Sequence, residues 1–250
     1  MTTETVLAAK NIVKELGRGA GKVMALKGVN LELVRGELTL LMGPSGSGKT
    51  TFLSILGCIM APTAGDIHVA GQSTDGLDPE ELAVLRRDHI GFIFQSYNLF
   101  PTLTALENVR ISLDVRGQKG YKAARRSEDV LREVGLGHRL KNYPNNLSGG
   151  EQQRVAVARA IVSSPSIVLA DEPTAALDGE NGNAVMELLA RIAHEQGRSV
   201  LAVTHDPRTM PYADRVVRIE DGLIVGEERR PEGLDAPEIT DLTKRRKAHA

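Results

Sequence analysis

Residues 43–51 read GPSGSGKTT, so Gly43-x4-Gly48-Lys49-Thr50 sets glycines, an amine and a hydroxyl at fixed spacing. Glycines let backbone N–H groups approach phosphate oxygens. Lys49 can reach β- and γ-phosphates, and the Thr50 hydroxyl can ligate Mg²⁺. The candidate phosphate loop comprises Gly43, Pro44, Ser45, Gly46, Ser47, Gly48, Lys49, Thr50 and Thr51. A ligand-free Gly/Ser turn would leave the Lys-Thr step at the helix start unexplained.

A second chemical group lies in IVLADEPT, where Asp171 and Glu172 end an apolar run. Ligands of α/β sheets sit at the carboxyl ends of strands, so both acids are expected to face the phosphates. Asp171 is placed to hold Mg²⁺ directly or through water, and Glu172 to polarise an attacking water. Adjacent carboxylates repel, and a bound cation removes much of that penalty. Gln95 follows the run IGFIF and His205 follows SVLAVT, so each is expected at a strand end on the same site. His68, His89, His138, His194 and His249 lack such placement and read as surface or packing residues.

A third feature is LSGGEQQR, residues 147–154, a glycine turn opening onto a helix. Backbone N–H groups and the helix dipole make such a turn an anion site. Ser148, Gly149 and Gly150 therefore form a second phosphate-type turn, far from the first in sequence.

These groups need a scaffold that converges on one edge. Residues 5–42 read as short strands separated by turns, and ELTLLM as a buried strand entering the phosphate loop. A helix is expected over 49–59, a strand at GDIHVAG, a helix over 79–88 capped by Asp78, and a strand at IGFIF. Residues 104–163 read mostly helical. Strands follow at 166–170 and 199–204 with a helix over 179–195 between them, then a hairpin turning at Asp221 and Gly222. The pattern is α/β with a mostly parallel sheet, a small antiparallel β subdomain and an inserted helical subdomain. The expected division is one domain over 1–230, with core segments 1–95 and 164–230 and a helical segment 96–163. A polar tail follows over 231–250, where the basic cluster at 244–247 reads as solubilising or as weakly attracted to anionic lipid.

Bulk properties narrow the partners. The 250 residues carry a net charge of −1, which gives no basic field for nucleic acid. Cys58 is the only cysteine and sits in an apolar stretch, so it reads as a buried inert thiol. The N-terminus lacks the profile of a signal peptide, and no apolar stretch approaches the ~20 residues that span a bilayer. A cytoplasmic protein is expected; work at a membrane would need a partner to hold it there.

In order along the chain, GPSGSGKTT, Gln95, LSGGE, IVLADE, AALD (residues 175–178) and His205 resemble the nucleotide-binding subunit of an ABC transporter. The likeness covers about residues 5–230. Its wording is similar to the subgroup serving lipoprotein-release and macrolide-export systems. The resemblance implies an ATPase using ATP and Mg²⁺, in which two copies stack head to tail. Ser148, Gly149 and Gly150 of one copy would then contact the γ-phosphate held by the other. His205 would contact the γ-phosphate of its own chain, and Gln95 would reach the Mg²⁺ and the water. Asp178 would run along the dimer interface, cap the following helix, or do both. A separate integral membrane permease would hold the subunit at the cytoplasmic face, for export or for extraction of a lipophilic or lipoprotein-like cargo whose identity is left open. The rival readings are a soluble ABC-type ATPase on nucleic acid or ribosomes, which usually has insertions or a second half not seen here, and a P-loop kinase or GTPase, which lacks LSGG.

Two departures from the family pattern stand out. The aromatic that usually stacks on adenine falls near Leu16, and no Phe, Tyr, Trp or His precedes Phe52. Weak base discrimination and use of GTP follow. Glu151 stands where the subgroup often has Gln, adding negative charge near a partner's triphosphate. Finally, Tyr97 and Phe100 lie past Gln95 in a Pro-containing loop. They fit either a docking site for the permease or a cap on the helical segment's own core.

Overall fold

Strand residues alternate between two faces, and the apolar runs here are apolar on both. In the computed structural model, which describes residues 4–17 and 19–230, this gives a sheet buried on each side. The strands are β1 (Thr5–Leu16), β2 (Val23–Val34), β3 (Leu38–Met42), β4 (Ala64–Val69), β5 (Gln72–Ser73), β6 (Ile90–Ile93), β7 (Ile167–Asp171), β8 (Ser199–Thr204), β9 (Arg215–Glu220) and β10 (Leu223–Arg229). The helices are α1 (Lys49–Leu56), α2 (Pro79–His89), α3 (Ala105–Asp114), α4 (Gly120–Glu133), α5 (Gly149–Ile161) and α6 (Gly179–His194).

The main sheet has the order β10-β9-β3-β8-β7-β6. Its members from β9 to β6 pair in parallel, and β10 returns antiparallel on β9. A second, antiparallel sheet runs β2-β1-β4-β5. The α/β class with a separate antiparallel sheet is therefore as expected. The first two strands are not short, however: β1 and β2 are 12 residues each and pair along their length.

The two faces of the parallel sheet build two cores. Leu38, Leu40 and Met42 of β3, Val168 and Ala170 of β7, and Val200 and Ala202 of β8 pack with α3, α5 and α6. Leu41, Ile167, Leu169, Leu201 and Val203 point the other way, onto Phe52, Leu53, Ile55 and Leu56 of α1 and onto the antiparallel sheet. Each fully buried aliphatic contributes about 1.5–3 kcal/mol. The helices between 96 and 163 associate as a group, with α3 against both α4 and α5.

Local signals set the helix ends. Asp78 caps α2 by accepting from Glu80 N–H and Glu81 N–H at 2.8 Å each, and Glu81 returns to Asp78 N–H. The helix expected over 49–59 stops at Leu56, because Gly57 caps it and Cys58 turns left-handed at φ 53°. Cys58 is buried as expected, and burial pushes its thiol up to about 11. The expectations for the tail over 231–250, and for His249, lie outside the described residues. Among the described residues no helix is long and apolar enough to cross a membrane.

Candidate active site

Parallel register carries the separate motifs to one edge. Met42 pairs with Thr204, Asp171 with Val203 and Ile93 with Ala170. The residues that leave these strands therefore emerge side by side: Gly43 after β3, His205 after β8, Glu172 after β7, and Gln95 two positions beyond β6. Together with Pro44, Ser45, Gly46, Gly48, Lys49, Thr50 and Thr51, the residues Gln95, Glu172 and His205 line one cavity of about 860 Å³.

The loop is held in an anion-binding form. Gly48 caps α1 in the left-handed region at φ 99°, and a β-carbon there would stand 2.5 Å from the Ala25 carbonyl oxygen. Only glycine fits that turn. Lys49 Nζ donates to the Gly43 and Pro44 carbonyls, both at 2.8 Å, which leaves the third ammonium proton for a ligand. Ser47 Oγ is buried and has no hydrogen-bond partner among the described residues. A buried orphan hydroxyl, a cationic amine and a helix N-terminus in one loop suit phosphate oxygens.

Thr50 Oγ1 donates to Asp171 Oδ1 at 3.2 Å, across 121 residues of sequence. Burial pushes the Asp171 carboxyl up from its ordinary value, and the neighbouring Glu172 charge pushes the same way; Thr50 and Lys49 oppose them. A cation there would reverse that balance. A hydroxyl beside one carboxylate is the hard-oxygen pairing that Mg²⁺ takes when phosphates and water complete its shell. Among the described residues no cluster of three or more His, Cys, Asp or Glu forms a metal cage of its own.

Glu172 sits at φ 45°, in the left-handed region, with its N–H donated to the Val203 carbonyl at 2.9 Å. Its Oε1 is 2.8 Å from His205 Nδ1. Non-glycine residues pay for that backbone conformation, so the carboxylate is held where the fold puts it, not where it would relax.

Ser148, Gly149 and Gly150 do not line this cavity. They form the N-terminus of α5, with Ser148 as N-cap. Ser148 Oγ accepts the Glu151 N–H at 3.2 Å, and Glu151 Oε2 accepts the Ser148 N–H at 2.9 Å. Glu151 Oε1 takes Arg139 Nε at 2.9 Å. Burial would raise the Glu151 carboxyl, but the Ser148 N–H and the Arg139 guanidinium outweigh it and hold the carboxyl below its ordinary value. Gly150 is wedged against α6: a β-carbon would stand 2.3 Å from Asn181 Oδ1. Asp178 caps α6 by accepting the Asn181 N–H at 2.9 Å, as the capping alternative expects.

The two loop aromatics have separate positions. The Tyr97 hydroxyl lies 3.2 Å from where Gly149 would carry a β-carbon, so this ring packs on the second turn. Phe100 is 47% exposed and lines a groove of about 540 Å³ with Val84, Ile111 and Val115. Arg159 ties the loop to α5 through the carbonyls of Tyr97, at 2.7 Å, and Asn98, at 2.5 Å.

Sequence reasoning missed part of the cavity wall. Asp221 and Gly222, read only as a hairpin turn, line it, and the Gly222 N–H donates to the Ser47 carbonyl at 3.1 Å. Val23, Met24 and Lys27 line it as well, beside Leu16, which the family pattern places near the base. No local signal marks Val23, Met24 or Lys27, because their role comes from the antiparallel sheet folding over the phosphate loop.

Comparison with known proteins agrees with this geometry. The family model described as ABC transporter matches residues 26–175. The macrolide export ATP-binding/permease protein MacB of Bradyrhizobium diazoefficiens is 45% identical over 91% of this chain. The chain spans about a third (35%) of that relative's length. The uncharacterized ABC transporter ATP-binding protein MJ0796 of Methanocaldococcus jannaschii is 44% identical, covering 90% of this chain and 97% of the relative. A dimeric structure of the post-hydrolysis state of the ATP-binding cassette MJ0796, bound to ADP and Pi, superposes with a TM-score of 0.83 at 42% identity, over 90% of this chain and 99% of that one. These relatives do not favour the reading as a soluble ATPase on nucleic acid or ribosomes.

Proposed function

The chain belongs to the ABC transporter family as an ATP-binding domain, and from that premise we propose that it hydrolyses MgATP within a head-to-tail homodimer to drive a membrane permease. One observation carries the reading. The cavity holds the phosphate loop, Gln95, Glu172 and His205, while the second anion turn, at Ser148, Gly149 and Gly150, lies outside it. A second copy turned head to tail would supply that turn to complete the site.

In the proposed reaction Gly43, Pro44, Ser45, Gly46, Ser47, Gly48 and Lys49 cradle the triphosphate, with Thr51 beside them. Thr50, Asp171 and Gln95 would hold Mg²⁺, which when bound would neutralise charge on the phosphates. Glu172 accepts a hydrogen bond from the attacking water and aligns it with the γ-phosphorus. The water oxygen bonds to that phosphorus as its bond to the bridging oxygen breaks; Glu172 takes up the water's proton, ADP leaves on the bridging oxygen, and inorganic phosphate is released. His205 exchanges its contact with Glu172 for one with a γ-phosphate oxygen. Ser148, Gly149 and Gly150 of the second copy close the other side. Positioning and electrostatics supply most of the acceleration.

The domain reading that goes with this is a single ATPase domain over 1–230, with core segments 1–95 and 164–230. The helical segment 96–163 carries the lid. A permease would hold the subunit at the cytoplasmic face of the membrane by docking in the groove beside Phe100 and Val115, whose apolar exposure supports such a contact. MacB is named for macrolide export, so export or extraction of a lipophilic cargo is the transport reading. The test is purification of the chain with co-expressed membrane proteins. The expected result is one multi-span partner that stimulates MgATP hydrolysis. Hydrolysis with no membrane partner bound would remove the transport part of the reading.

A further inference from the structure

The carboxylate of Glu151 sits in the first turn of α5, beside the N–H groups proposed to meet the second copy's triphosphate. Left alone, its negative charge would oppose that approach, since like charges repel in a partly desolvated gap. The structure removes the problem from outside the helix. Arg139 lies in the segment between α4 and α5 and reaches Glu151 Oε1 through Nε at 2.9 Å. The other oxygen, Oε2, is occupied by the Ser148 N–H. Both carboxylate oxygens therefore face this chain's own donors. The Glu151 side chain is only 13% exposed, against 38% for Arg139, so the outer member of the pair is the cation.

The pairing also fixes the Ser148 hydroxyl. Because the Ser148 Oγ accepts from Glu151 N–H, one of its two lone pairs is engaged inward and its proton remains to be donated outward. The segment carrying Arg139 is itself ordered by backbone bonds from Arg139 N–H to the Leu136 carbonyl and from Asn142 N–H to the Arg139 carbonyl, both at 2.9 Å.

We propose that Arg139 is a positioning residue for the lid: it neutralises Glu151 and turns both carboxylate oxygens inward, so that the turn at Ser148, Gly149 and Gly150 presents donors and no net negative charge to the nucleotide of the second copy. The proposal rests on the head-to-tail reading above. It makes Glu151 tolerable only in the presence of Arg139, and it makes Arg139 dispensable when position 151 is neutral.

The experiment compares full-length chains that all carry Glu172→Gln, with added Arg139→Ala, Glu151→Gln, or both. Sedimentation velocity measures the ATP-dependent monomer–dimer equilibrium, and titration with a fluorescent ATP analogue measures binding to the monomer. Arg139→Ala should weaken the dimer by about tenfold or more, and adding Glu151→Gln should restore it to within about threefold of the parent. Raising salt should recover part of the Arg139→Ala loss, because the repulsion is screened. Monomer binding should be the same in all four chains, since Lys49 and Thr50 lie in the other site. An undiminished dimer in Arg139→Ala overturns the proposal. So does a loss that Glu151→Gln fails to restore, which would make Arg139 a purely structural strut. A parent chain that stays monomeric in ATP overturns the head-to-tail reading itself, and this proposal with it.

Discussion

His205 Nδ1 stands 2.8 Å from Glu172 Oε1, joining two strand ends that are 33 residues apart in sequence. A carboxylate accepts, so in this contact His205 Nδ1 donates to Glu172 Oε1. The imidazole is 68% exposed while Glu172 is 13% exposed, so the ring is the member of the pair accessible from the cavity. In the proposed cycle a γ-phosphate draws His205 away and frees Glu172 for the water.

Glu172→Gln should therefore leave ATP binding intact and cut phosphate release by about 10²–10⁴-fold, the usual weight of a general-base group. Phosphate release and nucleotide titration on the same preparation check this. Turnover within a few-fold of the unmodified chain would remove Glu172 from the proposed chemistry.

In the proposed reading the base lies against an aliphatic wall of the cavity. Leu16, Val23 and Met24 line it where an aromatic ring would stack, and Leu16 is 37% exposed. Aromatic–base stacking is worth ~1–3 kcal/mol in single-strand binders. The chain should use GTP with kcat/KM within about tenfold of that for ATP. Leu16→Tyr should tighten ATP binding by about tenfold and widen the gap to GTP. Steady-state hydrolysis of both nucleotides measures it. A strong ATP preference in the unmodified chain would contradict the aliphatic-platform reading.

Phe100→Ala tests the groove. The ring is 47% exposed and caps no part of the main cores, so fold and monomer ATP binding should be unchanged. Retention of the membrane partner should fall by about tenfold or more if this ring is an interface anchor. Unchanged copurification would remove Phe100 as an interface anchor.

A pH effect on stability is built in at a distance from the cavity. His194 Nε2 is 2.8 Å from Asp214 Oδ2, which also accepts the Leu38 N–H at 2.7 Å. The bond to Asp214 raises the imidazole above its ordinary value, against the opposing pull of burial. The folded chain thus holds this proton more tightly than the unfolded chain. The resulting stability is complete below the unfolded value of about 6.5 and is lost as pH rises through the folded value. The melting temperature should exceed that of His194→Gln most near pH ~6, and the gap should narrow by pH ~8.5. A gap that grows with pH would contradict the ion-pair assignment.

Much of the scaffold was legible because the strands next to the cavity are short apolar runs ended by polar residues. ELTLLM, IVLAD and SVLAVT became β3, β7 and β8, and the chemistry follows each of them. The convergence of Gly43, Gln95, Glu172 and His205 could be expected from parallel pairing alone. The rest depends on contacts with no local signature. Asp221 and Gly222 reach the phosphate loop only because β9 pairs with β3, and Val23 and Met24 do so because the antiparallel sheet folds over it. Glu151 looked like surplus charge in sequence, since nothing in LSGGEQQR announces Arg139 twelve residues upstream. His194 read as a surface or packing residue for the same reason: its partner, Asp214, lies beyond the next strand.

The central claim is that each cavity is completed by the second copy's Ser148, Gly149 and Gly150. Sedimentation velocity of the Glu172→Gln chain, with and without ATP, measures it most directly, beside the same chain carrying Ser148→Arg. The expected result is a monomer without nucleotide, a dimer with ATP, and no dimer once Ser148→Arg blocks the turn. A chain that remains monomeric in ATP, or an ATP-driven dimer indifferent to Ser148→Arg, would contradict it.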